Sequence, residues 1–406
     1  MSRTAPHGGL PAPLRVLHLL SGQERGGILR VVEAISADRQ ARGGEAFIGT
    51  LGGRGDSISS GRRVVRFGRR RTLDPWAAAR LLAFSRREAI TIVHTHNVTA
   101  NLYGLLLSLL RPQLLHVIHV HAHFQQILLE SQRSRVKRYL LLRGNALALR
   151  ACDGIIANSN SVKGFLVDYG ADPEKIAVVH NGVDVSRLVE DARLPCPHVE
   201  SLTMPRDAAR PGAGDGRRTR LVGAFGRLAP VKNYPLFLEA ARLVLEKEPA
   251  TFVIAGDGPE RNELERLAGR LGIAERVHFA GWVQNPYPLL ASMDVVVLTS
   301  IAEGFGLVLL EAMALERPVI TTAAGAVTEV VRDGETGIVV PAADPALLAA
   351  AILRLLRDPS LGQALGARGR EVARAEFSDQ TMCDRAEQVY VSAMKRQWRG
   401  APLAHA

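Results

Sequence analysis

Val295-Val296-Val297-Leu298-Thr299-Ser300-Ile301-Ala302-Glu303-Gly304-Phe305-Gly306-Leu307-Val308-Leu309-Leu310-Glu311-Ala312-Met313-Ala314 is the stretch from which the fold is read. A short apolar run ending in small residues predicts a buried strand, and the carboxylate and two glycines after it predict a tight turn into a helix. Strand, glycine turn and helix make the repeating piece of a parallel α/β sheet. Glycines at a helix start let backbone N–H groups approach an anion, and the helix dipole favours negative charge there. Glu303 at the lip of such a cradle would repel phosphate but can accept hydrogen bonds from sugar hydroxyls. Glu311, two turns into the helix on about the same side, can accept from a ribose. A plain strand-to-helix turn carrying two solvated acids reads equally well from these residues.

The same grammar extends in both directions. Strand-like runs recur at Leu221 to Phe225, Thr251 to Ala255, Val277 to Phe279, Pro318 to Thr321 and Gly337 to Val340, with helical segments between them. An earlier set comprises Leu14 to Leu20, Ile90 to His94, Leu114 to His121, Gly154 to Asn158 and Ala177 to His180. Between the sets, residues 186–218 are rich in Pro, Gly, Asp and Arg without sustained periodicity, which predicts a linker or flexible insertion. The expected organisation is therefore a disordered leader over 1–13, a first lobe over 14–185, the linker, and a second lobe over 219–377. A helix within 378–406 crosses back to the first lobe and ends in a disordered tail. Each lobe is Rossmann-like, and ligands in such sheets bind outside the carboxyl ends of the strands, so the cleft where the lobes face each other is the expected site.

Composition narrows the class. Hydrophobic residues make up 47% and charged residues 22% of 406, which suits large soluble cores. The three cysteines (Cys152, Cys196, Cys383) form no CxxC pair, which argues against a disulfide scaffold and a cysteine-ligated zinc site. No apolar run approaches the roughly 20 residues of a spanning helix, and a cytoplasmic protein is expected. The net charge of +11 is uneven: residues 1–184 carry 25 basic and 13 acidic residues, the remainder 26 and 27. A first half at +12 beside a second half at −1 suggests that the first half meets an anionic partner.

A second chemical segment is Ala224-Phe225-Gly226-Arg227-Leu228-Ala229-Pro230-Val231-Lys232-Asn233. Arg227 and Lys232, five apart beside a glycine, can clamp a diphosphate and stabilise the charge that grows on it as it leaves.

Four motifs now stand in order: Gly226-Arg227 with Lys232-Asn233; Gly256-Asp257-Gly258-Pro259; Ser300 with Glu303-Gly304-Phe305-Gly306 and Glu311; and Gly325 with Glu329. Together they resemble the family-4 retaining glycosyltransferases (glycosyl transferases group 1), over about residues 14–395. The resemblance implies a GT-B fold, two Rossmann-like α/β/α lobes across a cleft. It implies transfer of a sugar from a nucleotide diphosphate with retention of configuration, and needs no cofactor and no metal. By that resemblance Arg227 and Lys232 bind the diphosphate, and backbone amides from Gly304 through Phe305 and Gly306 to Leu307 hold the distal phosphate or sugar. Glu303 orients the sugar, Glu311 the ribose, and the loop at Trp282 and Val283 lies near the base. Gly26 and Gly27 match the family's first glycine loop. Asp294 reads as structural. Asn158-Ser159 and Asn181-Gly182-Val183-Asp184 match elements that close the first lobe, and Asn-Gly is expected to make a turn with positive φ.

The resemblance also calls for a histidine after the strand Leu114 to Val120. His121 matches best and would contact the donor sugar, with His119 as the second candidate. Alternation puts His119, His121 and His123 on one face, but no Cys or acidic neighbour accompanies them, so no metal site is expected.

Gln125 to Arg150 reads as a basic amphipathic helix suited to anionic lipid headgroups, or as a solvated helix face. The expected partners are thus a nucleotide diphosphate sugar and a lipid-linked or polysaccharide acceptor. Peripheral attachment to an anionic membrane is also expected, and no nucleic acid is, because basic residues are not interleaved with aromatic ones. A non-catalytic sugar-nucleotide or anionic-surface binding protein of the same fold is the rival. Among other GT-B enzymes, the ordered donor motifs disfavour an epimerase, and the modest length and lack of a lysine suited to a pyridoxal cofactor disfavour a phosphorylase.

Overall fold

The computed structural model describes residues 14–22, 26–52, 64–124, 134–203, 219–341 and 343–400, with side chains to 397. The chain divides into two compact units: the first runs to His180 and resumes at Met382, and the second is Asn181–Thr381. The expected leader over 1–13 and tail beyond 400 lie outside the described residues.

The first unit contains β1 (Arg15–Leu20), α1 (Gly27–Ala41), β2 (Glu45–Thr50), β3 (Val64–Arg66), α2 (Pro75–Arg87), β4 (Ile92–Thr95), α3 (Val98–Leu110), β5 (Leu115–Val120), α4 (Arg135–Ala151), β6 (Gly154–Ala157), α5 (Asn160–Asp168) and β7 (Ile176–Val178). Its strands form one parallel sheet in the order β3-β2-β1-β4-β5-β6-β7. Both faces are covered, so the strands are mostly apolar rather than alternating, with His18, His94, His116 and His119 among the buried polar exceptions. Helix starts are set by local chemistry. Asp74, Asn97, Ser134 and Ser159 each accept a backbone N–H from the first turn of the helix they precede.

The second unit contains α6 (Val185–Asp191), α7 (Pro197–Thr203), β8 (Arg220–Phe225), α8 (Tyr234–Leu245), β9 (Ala250–Ala255), α9 (Arg261–Arg270), β10 (Val277–Gly281), α10 (Tyr287–Ala291), β11 (Val295–Leu298), α11 (Leu307–Ala314), β12 (Val319–Thr322), α12 (Val327–Val330), β13 (Ile338–Val340), α13 (Pro345–Arg357) and α14 (Pro359–Glu376). Its six parallel strands take the order β10-β9-β8-β11-β12-β13. Two buried clusters, one on each face, hold it together. Phe237, Phe252 and Ile352 lie in one, Leu298, Leu309 and Met313 in the other.

The chain ends in α15 (Asp379–Gly400), whose residues from Met382 onward belong to the first unit. Met382, Cys383, Ala386, Tyr390 and Ala393 are buried with Val16, Ile92 and Val117 of that unit's sheet. Arg39 pairs with Glu387 at 2.6 Å, and Arg396 donates to the Asp153 carbonyl at 2.8 Å. The helix thus packs on the sheet of the first unit.

Two expectations are corrected. Residues 186–203 are not a linker: α6 and α7 bury Val185, Leu188, Cys196 and Leu202 in the second unit's core. Their helices are only seven residues each, too short to show a period. Residues 204–218 lie outside the described part. Nor does Gly182 have positive φ. Its missing Cβ matters because a carbon there would sit 2.5 Å from the Ser378 carbonyl oxygen. At that point Val183 donates to the Phe377 carbonyl and Asp379 to the Val183 carbonyl, so the outgoing and returning chain run bonded side by side.

Leu188 tests the first correction. In a linker, Leu188→Ala would change stability by no more than about 0.5 kcal/mol. In the core position seen here, urea denaturation should show a loss of about 2–5 kcal/mol.

Candidate active site

In the second unit the strand order reverses between β8 and β11, and the loops that leave these two strands carry the expected donor residues. After β8, Gly226 turns the chain with φ +146°, and the Tyr234 hydroxyl donates to its carbonyl at 3.0 Å. Pro230–Lys232 forms a short 3-10 turn, and Asn233 follows in the left-handed conformation, which Asn tolerates. This turn is tied to the loop after β11 twice. The Thr299 hydroxyl donates to the Lys232 carbonyl at 2.9 Å, and the Ile301 amide to the Val231 carbonyl at 2.8 Å.

The tie brings the chemistry together. Lys232 Nζ lies 2.5 Å from Glu303 Oε2, and Ser300 Oγ donates to the same oxygen at 3.1 Å. Both charged side chains are largely buried. Arg227 is exposed and has no acidic partner among the described residues. Beyond Glu303, Gly306 precedes α11 in the left-handed conformation at φ +82°. In the first turn of that helix the Leu309 amide donates to the Gly306 carbonyl at 2.8 Å, and the amides before it precede the first helical hydrogen bond.

The other assignments sort unevenly. Glu311 sits one turn into α11, not two, because the helix starts at Leu307; it is 4% exposed. The Phe305 side chain is buried against Phe377, with ring centroids 5.8 Å apart, so only its backbone is left to meet a ligand. Gly304 is buried and Leu307 half-buried. Trp282, half-exposed, and Val283, packed on the core, follow the edge strand β10, two strands from β8. Asp294 is structural: it accepts from the Leu221 amide at 2.8 Å and pairs with Arg220.

The first unit reverses between β1 and β4. Gly26, φ +81°, precedes α1, and Gly27 is its first residue. His121 follows β5 and is half-buried; His119 is buried, and burial holds the His121 imidazole pKa down at about 3. Two contacts fix His121. Asn158 donates to its carbonyl at 2.8 Å, and His96 Nδ1 lies 3.0 Å from its Nε2. Asn158-Ser159 thus has two separable jobs, one on His121 and one at the start of α5. Five histidines collect here (His18, His94, His96, His119 and His121), of which the sequence reading had only the last two. The others escaped it because parallel pairing, not sequence spacing, brings them together.

Two doubly wound units, each with polar side chains at its point of strand reversal, define the GT-B class of nucleotide-sugar-binding folds. Solved structures agree on the fold. Anabaena HepE in complex with UDP and glucose superposes with a TM-score of 0.76 at 22% identity, over 93% of this chain and 100% of that one. Family models match in both halves: Glycosyltransferase Family 4 over residues 25–187 and Glycosyl transferases group 1 over 219–358. A D-inositol 3-phosphate glycosyltransferase of Streptomyces bingchenggensis is 31% identical over 329 residues, covering 75% of this chain and 67% of that protein. The chain belongs to the family-4 glycosyltransferases. A protein with the same description from Thermomonospora curvata is 36% identical over 62% of this chain, which spans 59% of that relative's length.

Gly325 shows how tightly the Glu303 loop is held. Its φ is +60°, and a Cβ there would sit 2.3 Å from the Glu303 carbonyl oxygen, which accepts from the Ala326 amide at 3.1 Å. Gly334, φ +72°, has open space around the same position. Gly334→Ala should cost about 1–2 kcal/mol for its backbone alone. Gly325→Ala should cost more in thermal unfolding and should also weaken nucleotide diphosphate binding.

Proposed function

We propose that this protein is a retaining glycosyltransferase that transfers a sugar from a nucleotide diphosphate without a metal ion. The observation that carries the reading is the Lys232–Glu303–Ser300 group beside the amino terminus of α11, at the strand reversal of the second unit. A cation, an exposed arginine and a helix amino terminus supply the positive charge that a departing diphosphate needs. Glu303, anchored by Lys232 and Ser300, offers its other carboxylate oxygen to sugar hydroxyls. Glu311 would hold the ribose, the Trp282–Val283 loop would lie near the base, and the glycines at 26 and 27 would meet the donor phosphates. His121 would face the donor sugar. Retention follows the family's front-face course, which requires no enzyme nucleophile.

The donor clamp is tested by turnover. UDP-glucose heads the donor panel because HepE is solved with it. Arg227→Ala and Lys232→Ala should each lower kcat by roughly 10²-fold, the scale of losing one charge-stabilising donor, with thermal unfolding little changed. Glu303→Gln should impair sugar transfer more than binding of the bare nucleotide diphosphate. Turnover should survive EDTA, and loss on chelation that Mn²⁺ restores would refute the metal-free mechanism. A protein that binds nucleotide sugars with no turnover or hydrolysis would be the binding protein instead.

The acceptor side is proposed to be a lipid-linked or polysaccharide acceptor of the cell envelope, reached from an anionic membrane surface. On α4, Val136, Tyr139, Leu140 and Leu147 are exposed along one stripe, and Arg143 falls on the same stripe. Arg135, Lys137 and Arg138 flank it, and Leu106, Leu109 and Leu110 are exposed on the neighbouring α3. The segment 125–133, including Arg133, lies outside the described residues. The attachment proposed is peripheral and on the cytoplasmic side; no described helix is long and apolar enough to cross a membrane.

Each cation near an anionic surface contributes on the order of 1 kcal/mol. Charge reversal at Arg135, Arg138 and Arg143 should therefore release the protein from anionic vesicles in flotation, by about two decades in affinity, and leave donor hydrolysis unchanged. Binding should weaken steeply with salt. A wild type that ignores such vesicles at low salt would favour a soluble anionic acceptor such as an inositol phosphate, as the relatives' names suggest.

A further inference from the structure

The histidine cluster of the first unit is ordered by its sheet. His18 and His94 are register partners on β1 and β4, His119 lies on β5, and His96 and His121 follow the ends of β4 and β5. His18 Nδ1 is 3.1 Å from His96 Nε2, and His96 Nδ1 is 3.0 Å from His121 Nε2. His94 turns aside, its Nδ1 2.8 Å from the Tyr390 hydroxyl on α15. His119 stacks on His121 at 4.0 Å between centroids, and neither of its nitrogens has a hydrogen-bond partner among the described residues.

Three such rings invite a metal, since ligand atoms of His96, His119 and His121 lie within 4.8 Å of one another. The orientations favour a chain instead. A zinc ion requires lone pairs that converge on one point about 2.0–2.1 Å from each nitrogen. Here the nitrogens of two successive pairs point at each other with hydrogen-bond geometry. His119 and His121 are stacked, with only 22° between their planes, so their lone pairs run alongside each other rather than converge.

A chain of neutral imidazoles has two polarities, because each ring carries one N–H and one lone pair. Burial keeps all three rings neutral, holding His18 and His121 at about 3 and His96 well below its ordinary value. In one polarity His18 Nδ1–H donates to His96, His96 Nδ1–H donates to His121, and the bare lone pair of His18 Nε2 is left buried. The other polarity buries an N–H at His18 Nε2, which has no partner among the described residues. Among backbone groups an orphaned buried N–H is rarer than an under-satisfied acceptor, and the first polarity follows the same order.

We propose that His18 and His96 are positioning residues that fix His121 as the neutral tautomer with its proton on Nδ1, making it a hydrogen-bond donor to an oxygen of the bound sugar. The proposal rests on reading His121 as the sugar-facing group. His96 acts only through His121, whose backbone Asn158 already holds.

Long-range proton–nitrogen NMR on the full chain labelled with ¹⁵N-histidine reads each tautomer directly, with His121 assigned by difference from His121→Gln. The wild type should show the His121 proton on Nδ1. His96→Phe, which keeps a ring and loses both nitrogens, should move it toward Nε2. The same variant should lower kcat on the order of 10²-fold, the scale of losing one oriented hydrogen-bond donor, with UDP affinity unchanged. His96→Asn, whose amide reaches about as far as Nδ1, should restore the tautomer and most of kcat. A wild-type His121 protonated on Nε2, or on both nitrogens, overturns the proposal, and this measurement needs no variant to fold. Stoichiometric Zn²⁺ binding that shifts the His96, His119 and His121 nitrogens overturns it in favour of a metal site. If the tautomers are as stated but His121→Ala retains full turnover, the chain stands and the sugar-facing reading fails.

Discussion

The direction of the strands constrains everything else in this protein. Every strand within each unit is parallel to its neighbours, and each sheet is wound outward in both directions from its first strand. Crossovers on opposite faces diverge beyond β1 and β4, and again beyond β8 and β11, which opens a crevice at the strand ends. The residues that can do chemistry gather at those two places. Lys232, Ser300 and Glu303 meet at one, and the histidines His18, His94, His96, His119 and His121 at the other. Apolar strands buried on both faces leave little room elsewhere for polar side chains.

Much of this architecture was legible because strand, glycine turn and helix are local patterns. All the strands read from the sequence exist, with their ends shifted by no more than two residues. The reading missed β2, β3 and α2: two of these are short strands whose few apolar residues show no clear period, and Pro75 at the start of α2 reads as a break as readily as a helix start. Residues of α6 and α7 read as linker because they run into 204–218, where Pro, Gly, Asp and Arg dominate, although four apolar residues suffice to seat them in the core. Composition reports the average of a segment, while burial is decided by the few side chains on one face.

The candidate site was legible as a set of residues and illegible as a set of partnerships. Lys232 and Glu303 were assigned separate duties, yet they form one ion pair across 71 positions of sequence. Alternation along β5 placed His119 and His121 together but gave no sign of His18, His94 and His96, because pairing with another strand depends on the register that the crossovers impose. The Asn158 bond to the His121 carbonyl is of the same kind. Periodicity says which face a residue occupies, not which residue faces it.

The electrostatics of the two places differ in a way that suits the proposed transfer. Where a diphosphate would depart, the second unit supplies permanent cations, and Glu303 offsets one of them until a ligand competes for it. Where the sugar would lie, the first unit supplies imidazoles that burial keeps uncharged. As the bond to the diphosphate lengthens, negative charge grows on the phosphate and positive charge on the sugar carbon it leaves. A cation assists the first change and opposes the second. A protonated His121 would stand against the developing positive charge, whereas a neutral ring can hold a hydroxyl without taxing the transition state. On this argument the desolvation of the histidines is part of the chemistry. An exposed histidine of ordinary pKa at position 121 would lose activity as the pH fell toward that value, whereas the half-buried His121, held down at about 3, stays neutral there.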